Sequence, residues 1–145
     1  MKEVLATVAL LLTVLALAGS GQEAGDLRDK YGAADAHGRF LVRPGIGMTV
    51  EFAQDGQVRE MLIKRLDSED ESNGGRSNVM SSAVAKEILE EVAPVGRRGA
   101  LKTKGRWASG CTNGHFAEYE HVSISDVTRC EAQGGGTYSA SVRWK

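Results

Sequence analysis

Apolar and polar positions alternate most regularly in the middle and at the end of this chain. Ile46, Met48, Val50 and Phe52 alternate with Gly47, Thr49 and Glu51, the period-2 signature of a half-buried strand. Arg39, Phe40, Leu41 and Val42 precede it as a short strand that Pro44 and Gly45 end. Asp55-Gly56 is a hairpin turn signal because both positions tolerate positive φ, and residues 57–66 return as its partner strand. A two-residue loop there sets Val50 opposite Met61 and Met48 opposite Ile63. It also sets Glu51 against Glu60, which is unfavourable. A three-residue loop would pair Glu51 with Arg59 but set Glu60 opposite Val50, so burial selects the first register.

The pattern changes period over Ser82–Val92. Val84, Ile88, Leu89 and Val92 form an apolar helical stripe, with Lys86, Glu87, Glu90 and Glu91 facing water. Ser81 or Ser82 caps this helix, Pro94 stops it, and Arg97 and Arg98 follow where cations suit the dipole end. A shorter helix is predicted over residues 26–32, with Asp26 as cap, Gly32 as stop, and Leu27 and Tyr31 facing inward. Residues 115–127 are predicted as one long strand: if regular, Ala117, Tyr119 and His121 share a face, whereas a bulge near Glu120 would bring Tyr119, Val122 and Ile124 to one face. Residues 134–136 are a triglycine connection to a last strand whose Tyr138, Ala140, Val142 and Trp144 face inward.

These elements predict an α+β fold: a single antiparallel sheet of four to five strands, one main helix packed on one face, and one disulfide. The expected core includes Trp144, Val142, Tyr138, Val122, Ile124, Phe52, Val50, Ile88 and Leu89. A chain of 145 residues is expected to hold one domain.

The N-terminus stands outside that fold. Residues 4–18 are a nearly unbroken run of Val, Leu and Ala behind Lys2, and Ala16-Leu17-Ala18 fits a signal-peptidase site. The run is shorter than the roughly 20 residues that span a bilayer, and no cysteine follows it to carry a lipid. The organisation expected is therefore a signal peptide over 1–18, a flexible N-terminus over 19–25 and a single α+β domain over 26–145. The mature protein would be exported, periplasmic or secreted, without a membrane anchor.

A formal charge of −1 lacks the basic excess of a nucleic-acid binder. Cys111 and Cys130, the chain's only cysteines, are expected to form one disulfide in an exported protein. They do not make a C-x-x-C redox or metal motif. Residues 67–78 are acidic, rich in Ser and Gly and free of apolar residues. They lack the acid spacing and closing Glu of a calcium loop, and read as a solvated loop.

The segments Phe40-Leu41-Val42-Arg43-Pro44-Gly45-Ile46, Ile88-Leu89-Glu90-Glu91-Val92-Ala93-Pro94, Ser109-Gly110-Cys111, Glu118-Tyr119-Glu120 and Ser141-Val142-Arg143-Trp144-Lys145 resemble a group of small exported bacterial proteins. That resemblance implies export and carries no activity. Residues 27–32, with the strand and Asp-Gly hairpin that follow, are similar to the opening of small periplasmic α+β modules.

Two clusters carry the candidate chemistry. Arg97, Arg98, Lys102, Lys104 and Arg106 form a basic stretch that could meet an anionic polysaccharide or phosphate. His115, Glu118, Tyr119, Glu120 and His121 gather acid–base groups, and two imidazoles with a carboxylate are a minimal zinc set. A regular strand, however, holds His115 and His121 about 20 Å apart, and there is no H-E-x-x-H. No G-x-S-x-G occurs, and Glu118 and Glu120, on the same side of a strand, could flank a glycosidic bond. His115, Glu118, His121, Arg97, Arg98 and Lys102 are thus the candidate ligand contacts, and no cofactor is implied. The function expected is a small exported, non-catalytic binding or interaction module with a protein or anionic ligand partner. The alternative is a small extracytoplasmic hydrolase or metal-dependent enzyme using the 115–121 strand.

Overall fold

A computed structural model describes residues 23–66 and 78–145 of the chain. Its centre is one antiparallel sheet of seven strands. The strands are β1 (Arg39–Arg43), β2 (Ile46–Phe52), β3 (Val58–Arg65), β4 (Leu101–Ser109), β5 (Thr112–Tyr119), β6 (Val122–Arg129) and β7 (Thr137–Trp144). They lie side by side in the order β1-β2-β3-β7-β6-β5-β4. Among the described residues, three short α-helices accompany them, α1 (Ala24–Tyr31), α2 (Ser82–Val92) and α3 (Val95–Arg98), with a 3-10 turn at Glu131–Gln133. No helix among the described residues is long and apolar enough to cross a membrane. The expected signal peptide and most of the expected acidic loop lie outside the described residues.

The expectation of four to five strands beneath one main helix is wrong, for two local reasons. Residues 101–109, read as a basic surface stretch, form β4. It is an edge strand, exposed along nearly its whole length, so no apolar alternation announces it. Its Lys102, Lys104 and Arg106 are the kind of charges that discourage edge-to-edge pairing. The second reason is that residues 115–127 are not one long strand but belong to two, β5 and β6. The pairing Glu118↔Ser123 closes them through a tight turn at Glu120 and His121.

That turn carries no Gly, Asn or Pro, and no non-glycine residue among those described has a positive φ. It is held from outside instead. The end of α3 and the residues before β4 accept its amides: Glu120 N–H donates to the Ala100 carbonyl at 2.9 Å and His121 N–H to that of Arg98 at 3.0 Å. Gly99 lies so close that a Cβ there would meet the Glu120 Cβ at 2.7 Å.

The β2–β3 hairpin has the expected register, with Val50↔Met61, Met48↔Ile63 and Glu51↔Glu60. Its loop is longer than two residues. Gly56 N–H donates to the Ala53 carbonyl at 3.0 Å and Ala53 N–H to that of Gln57 at 2.8 Å, and a bulge then sets Phe52 opposite Val58. Past that bulge Phe52 is exposed, which removes it from the expected core. At the other end, a bulge opposite Thr128 displaces Tyr138 from its inward place, and Thr137 is buried there instead.

The core lies between the helices and the β1-β2-β3-β7 end of the sheet. α1 packs on β1 and α2 on β7. Leu27, Met48, Met61, Ile63, Ile88, Val92, Val122 and Val142 are fully buried. α1 starts three residues earlier than expected: Asp26 is no cap residue, and its carboxylate reaches back to the Glu23 N–H at 3.2 Å. Glu91, expected to face water, ties three elements together. It accepts from Tyr31 Oη at 2.6 Å and Arg43 at 2.7 Å, with Lys30 Nζ at 3.1 Å. Cys111 in the β4–β5 turn and Cys130 after β6 form the expected disulfide, with Cα atoms 5.0 Å apart.

Candidate functional site

Cross-strand registers define where the site arises. One row of side chains runs across all seven strands on the helix side: Phe40, Met48, Ile63, Ala140, Asp126, His115 and Arg106. The first four are buried apolar residues. Beyond β7 the row becomes an acid, an imidazole and a guanidinium. The neighbouring row does the same: Val50, Met61, Val142, Ile124 and Ala117 lead to Lys104. An apolar floor thus runs outward from the core and ends in a cationic rim.

At the centre of the polar segment, His115 Nδ1 and Asp126 Oδ1 lie 2.8 Å apart. The carboxylate accepts, so Nδ1 carries the proton and Nε2 of a neutral ring is left as an acceptor. This pair separates two hollows. The first, about 430 Å³, has Ala117 and Ile124 on its floor and Lys104 and Arg106 at its rim. The second, about 620 Å³, lies between the pair and α2, where Lys86 and Leu89 face Asn113 and Arg129 across it. Both volumes fall within the roughly 300–1,000 Å³ of small-ligand pockets. Arg106, His115 and Glu131 border a third hollow at the β4 edge. Neither the Lys104 nor the Arg106 side chain has a hydrogen-bond or ion-pair partner among the described residues. The rim therefore sets two cations without a side-chain ion-pair partner, and the His115-bound Asp126 carboxylate, next to an apolar floor.

The residues expected from the sequence do not converge. His115 belongs to this site, but Glu118 lies on the opposite face of the sheet. There it accepts from Ser123 Oγ at 2.6 Å and pairs with Lys145 at 3.0 Å; these hydrogen bonds, Ser123's first, hold its carboxyl below the usual range. His121 sits in the β5–β6 turn, with Nε2 3.9 Å from Glu120. Arg98 is buried: it donates to the Ala93 carbonyl at 2.6 Å, pairs with Glu90 at 2.7 Å and lies over the Tyr119 ring. Arg97 lies over the Trp144 ring at 5.4 Å. Both arginines anchor α3 to the sheet, so they do not continue the cationic rim. Lys102 is the extra residue of a bulge in β4. No group of three His, Cys, Asp or Glu side chains among the described residues is arranged to hold a metal ion.

Sequence reasoning missed Asp126 and the pairing of Arg106 with His115. Asp126 lies eleven residues from His115, a separation without meaning until the β5–β6 turn is known. The opposite face offers a different surface. Trp107 lies over Gly114 and Phe116 over Gly105, each ring filling the place of a missing Cβ on the adjacent strand. Both rings stay largely exposed, and around them Ser125 and Ser141 hydroxyls pair at 2.8 Å. The chain matches no known protein-family model, no curated protein and no solved structure.

Proposed function

We propose that this protein is a small exported binding module whose ligand lies on the helix-side face of β4, β5 and β6. The observation that carries this reading is the apolar floor that leaves the core and ends, uncovered, at the unpaired cations Lys104 and Arg106. An anionic partner matches that rim. The Cys111–Cys130 disulfide supports an oxidising compartment, and the apolar run over residues 4–18 supports export.

The test has two parts. Expressed in full in a bacterial host, the protein should be recovered from the periplasm or medium, shortened at residue 18 and with no free thiol by intact mass. Cytoplasmic retention at full length with two alkylatable cysteines would reject export. The second part titrates the isotopically labelled mature protein with inorganic phosphate, sodium decanoate, a hexaglutamate peptide and an oligoglucuronate. At least one should shift amide resonances of β4–β6, and Lys104→Ala with Arg106→Ala should abolish that shift. No response in these strands to any of the probes would reject the binding face.

One observation favours a second reading, a hydrolase. An imidazole oriented by a carboxylate at the border of a hollow is the base-and-orienter half of an acid–base set. That enzyme would lose turnover in both His115→Gln and Asp126→Asn, whereas the binding module has no turnover to lose.

A further inference from the structure

Resting on the binding-face reading, we infer that the hollow over Ala117 and Ile124 takes a monocarboxylate with an apolar body. Three features of the hollow lead to that ligand class. Its floor is made by small and branched apolar side chains, Ala117 and Ile124, directly continuous with the buried row Val142 and Met61. A ligand body placed there removes apolar surface from water on both partners, the ordinary source of small-ligand affinity. At about 430 Å³ the hollow admits a chain or ring of modest size.

The rim selects the head group. Lys104 and Arg106 stand two residues apart on one face of β4, about 7 Å along the strand. A guanidinium offers a planar fork that fits one carboxylate with two parallel hydrogen bonds, and the ammonium adds a point charge beside it. The same rim contains the Asp126 carboxylate, engaged by His115. That fixed negative charge works against a ligand with several charges and tolerates one with a single charge at the Arg106 end. A neutral ligand would leave both cations as they are and gain nothing from them. Cationic ligands face direct repulsion.

Isothermal titration of the oxidised mature protein with sodium decanoate, below its micellar concentration, tests the assignment. Decanol, sodium acetate and inorganic phosphate are the comparison probes. Decanoate should bind saturably with one site, decanol at least tenfold more weakly, and acetate and phosphate at least a hundredfold more weakly. Arg106→Gln should weaken decanoate tenfold or more and leave decanol unchanged. Arg106→Lys should recover part of the loss. Ile124→Thr, checked for folding by near-ultraviolet dichroism, should weaken decanoate and decanol together.

The assignment is overturned if decanol matches decanoate, if phosphate binds as well as decanoate, or if Arg106→Gln changes nothing. It is also overturned if decanoate shifts resonances only around Trp107 and Phe116 on the opposite face. A hexaglutamate peptide that engages β4–β6 where decanoate does not would remove the ligand class and leave the binding face standing.

Discussion

At the scale of single residues, Glu91 is the most consequential polar group in the described structure. Burial alone would raise its pKa, but hydrogen bonds from Arg43, Tyr31 and Lys30 outweigh that and hold it at about 2, against an ordinary 4.5. Burial, and then the hydrogen bond to Glu91, push the Tyr31 phenol upward. A depressed carboxyl contributes stability that is complete above its unfolded value and is lost as pH falls through the folded one. Unfolding free energy should therefore decline between about pH 4.5 and pH 2 from this group. Glu91→Gln should cost about 1–2 kcal/mol at pH 7, discounted for partial solvent screening, and should flatten that acid limb. Urea titrations of both proteins from pH 2 to pH 7 would measure it. Equal losses at both ends of the range would show that Glu91 acts through packing alone.

Besides Gly99, glycine matters opposite the exposed aromatic rings. A methyl group at Gly105 would come 2.5 Å from the Phe116 ring. Gly105→Ala should therefore push that ring off the strand and lower stability by about 1 kcal/mol. An unchanged ring environment by aromatic NMR shifts would contradict this.

At the scale of elements, β4 and α2 are opposites. α2 was legible from its stripe because Ile88, Leu89 and Val92 are buried against the sheet, and burial imposes periodicity. β4 was not, because an edge strand with both faces in water has no periodicity imposed on it. The same exposure predicts its dynamics. β4 is bonded to the sheet only through β5, so its amides should exchange with solvent faster than those of β3 and β7, which have neighbours on both sides. Native-state hydrogen exchange would test this ordering. The disulfide restrains the same region, joining the β4–β5 turn to the end of β6 across a separation of 19 residues. Replacing both cysteines with serine should cost about 3 kcal/mol on the chain-entropy account and should raise β4 and β5 exchange more than that of β1–β3. A uniform rise across the sheet would mean that the bridge acts on the whole fold.

At the scale of the molecule, the sequence alone determined β1, β2, β3 and β7 and the helix α2 that packs on them, but not that β5 and β6 are separate strands. It also determined the register of the β2–β3 hairpin and the pairing of the only two cysteines. Burial and chemical reactivity leave local marks that can be read without coordinates. Only the tertiary structure decided that β7, last in the chain, lies between β3 and β6. That insertion brings Arg143 within 2.9 Å of Glu60 and so relieves the Glu51–Glu60 repulsion that the hairpin register creates. It also aligns the rows whose outer ends are Arg106 and Lys104. The turn at Glu120 and His121 decided that Asp126 faces His115 and that His121 does not. Its support comes from the backbone of residues 98–100, twenty positions earlier for Glu120 and Ala100, and such contacts leave no trace in local composition. The physical reason is general: a site made of one residue from each of several strands exists only once non-local registers are set, and those registers are fixed by the whole sheet.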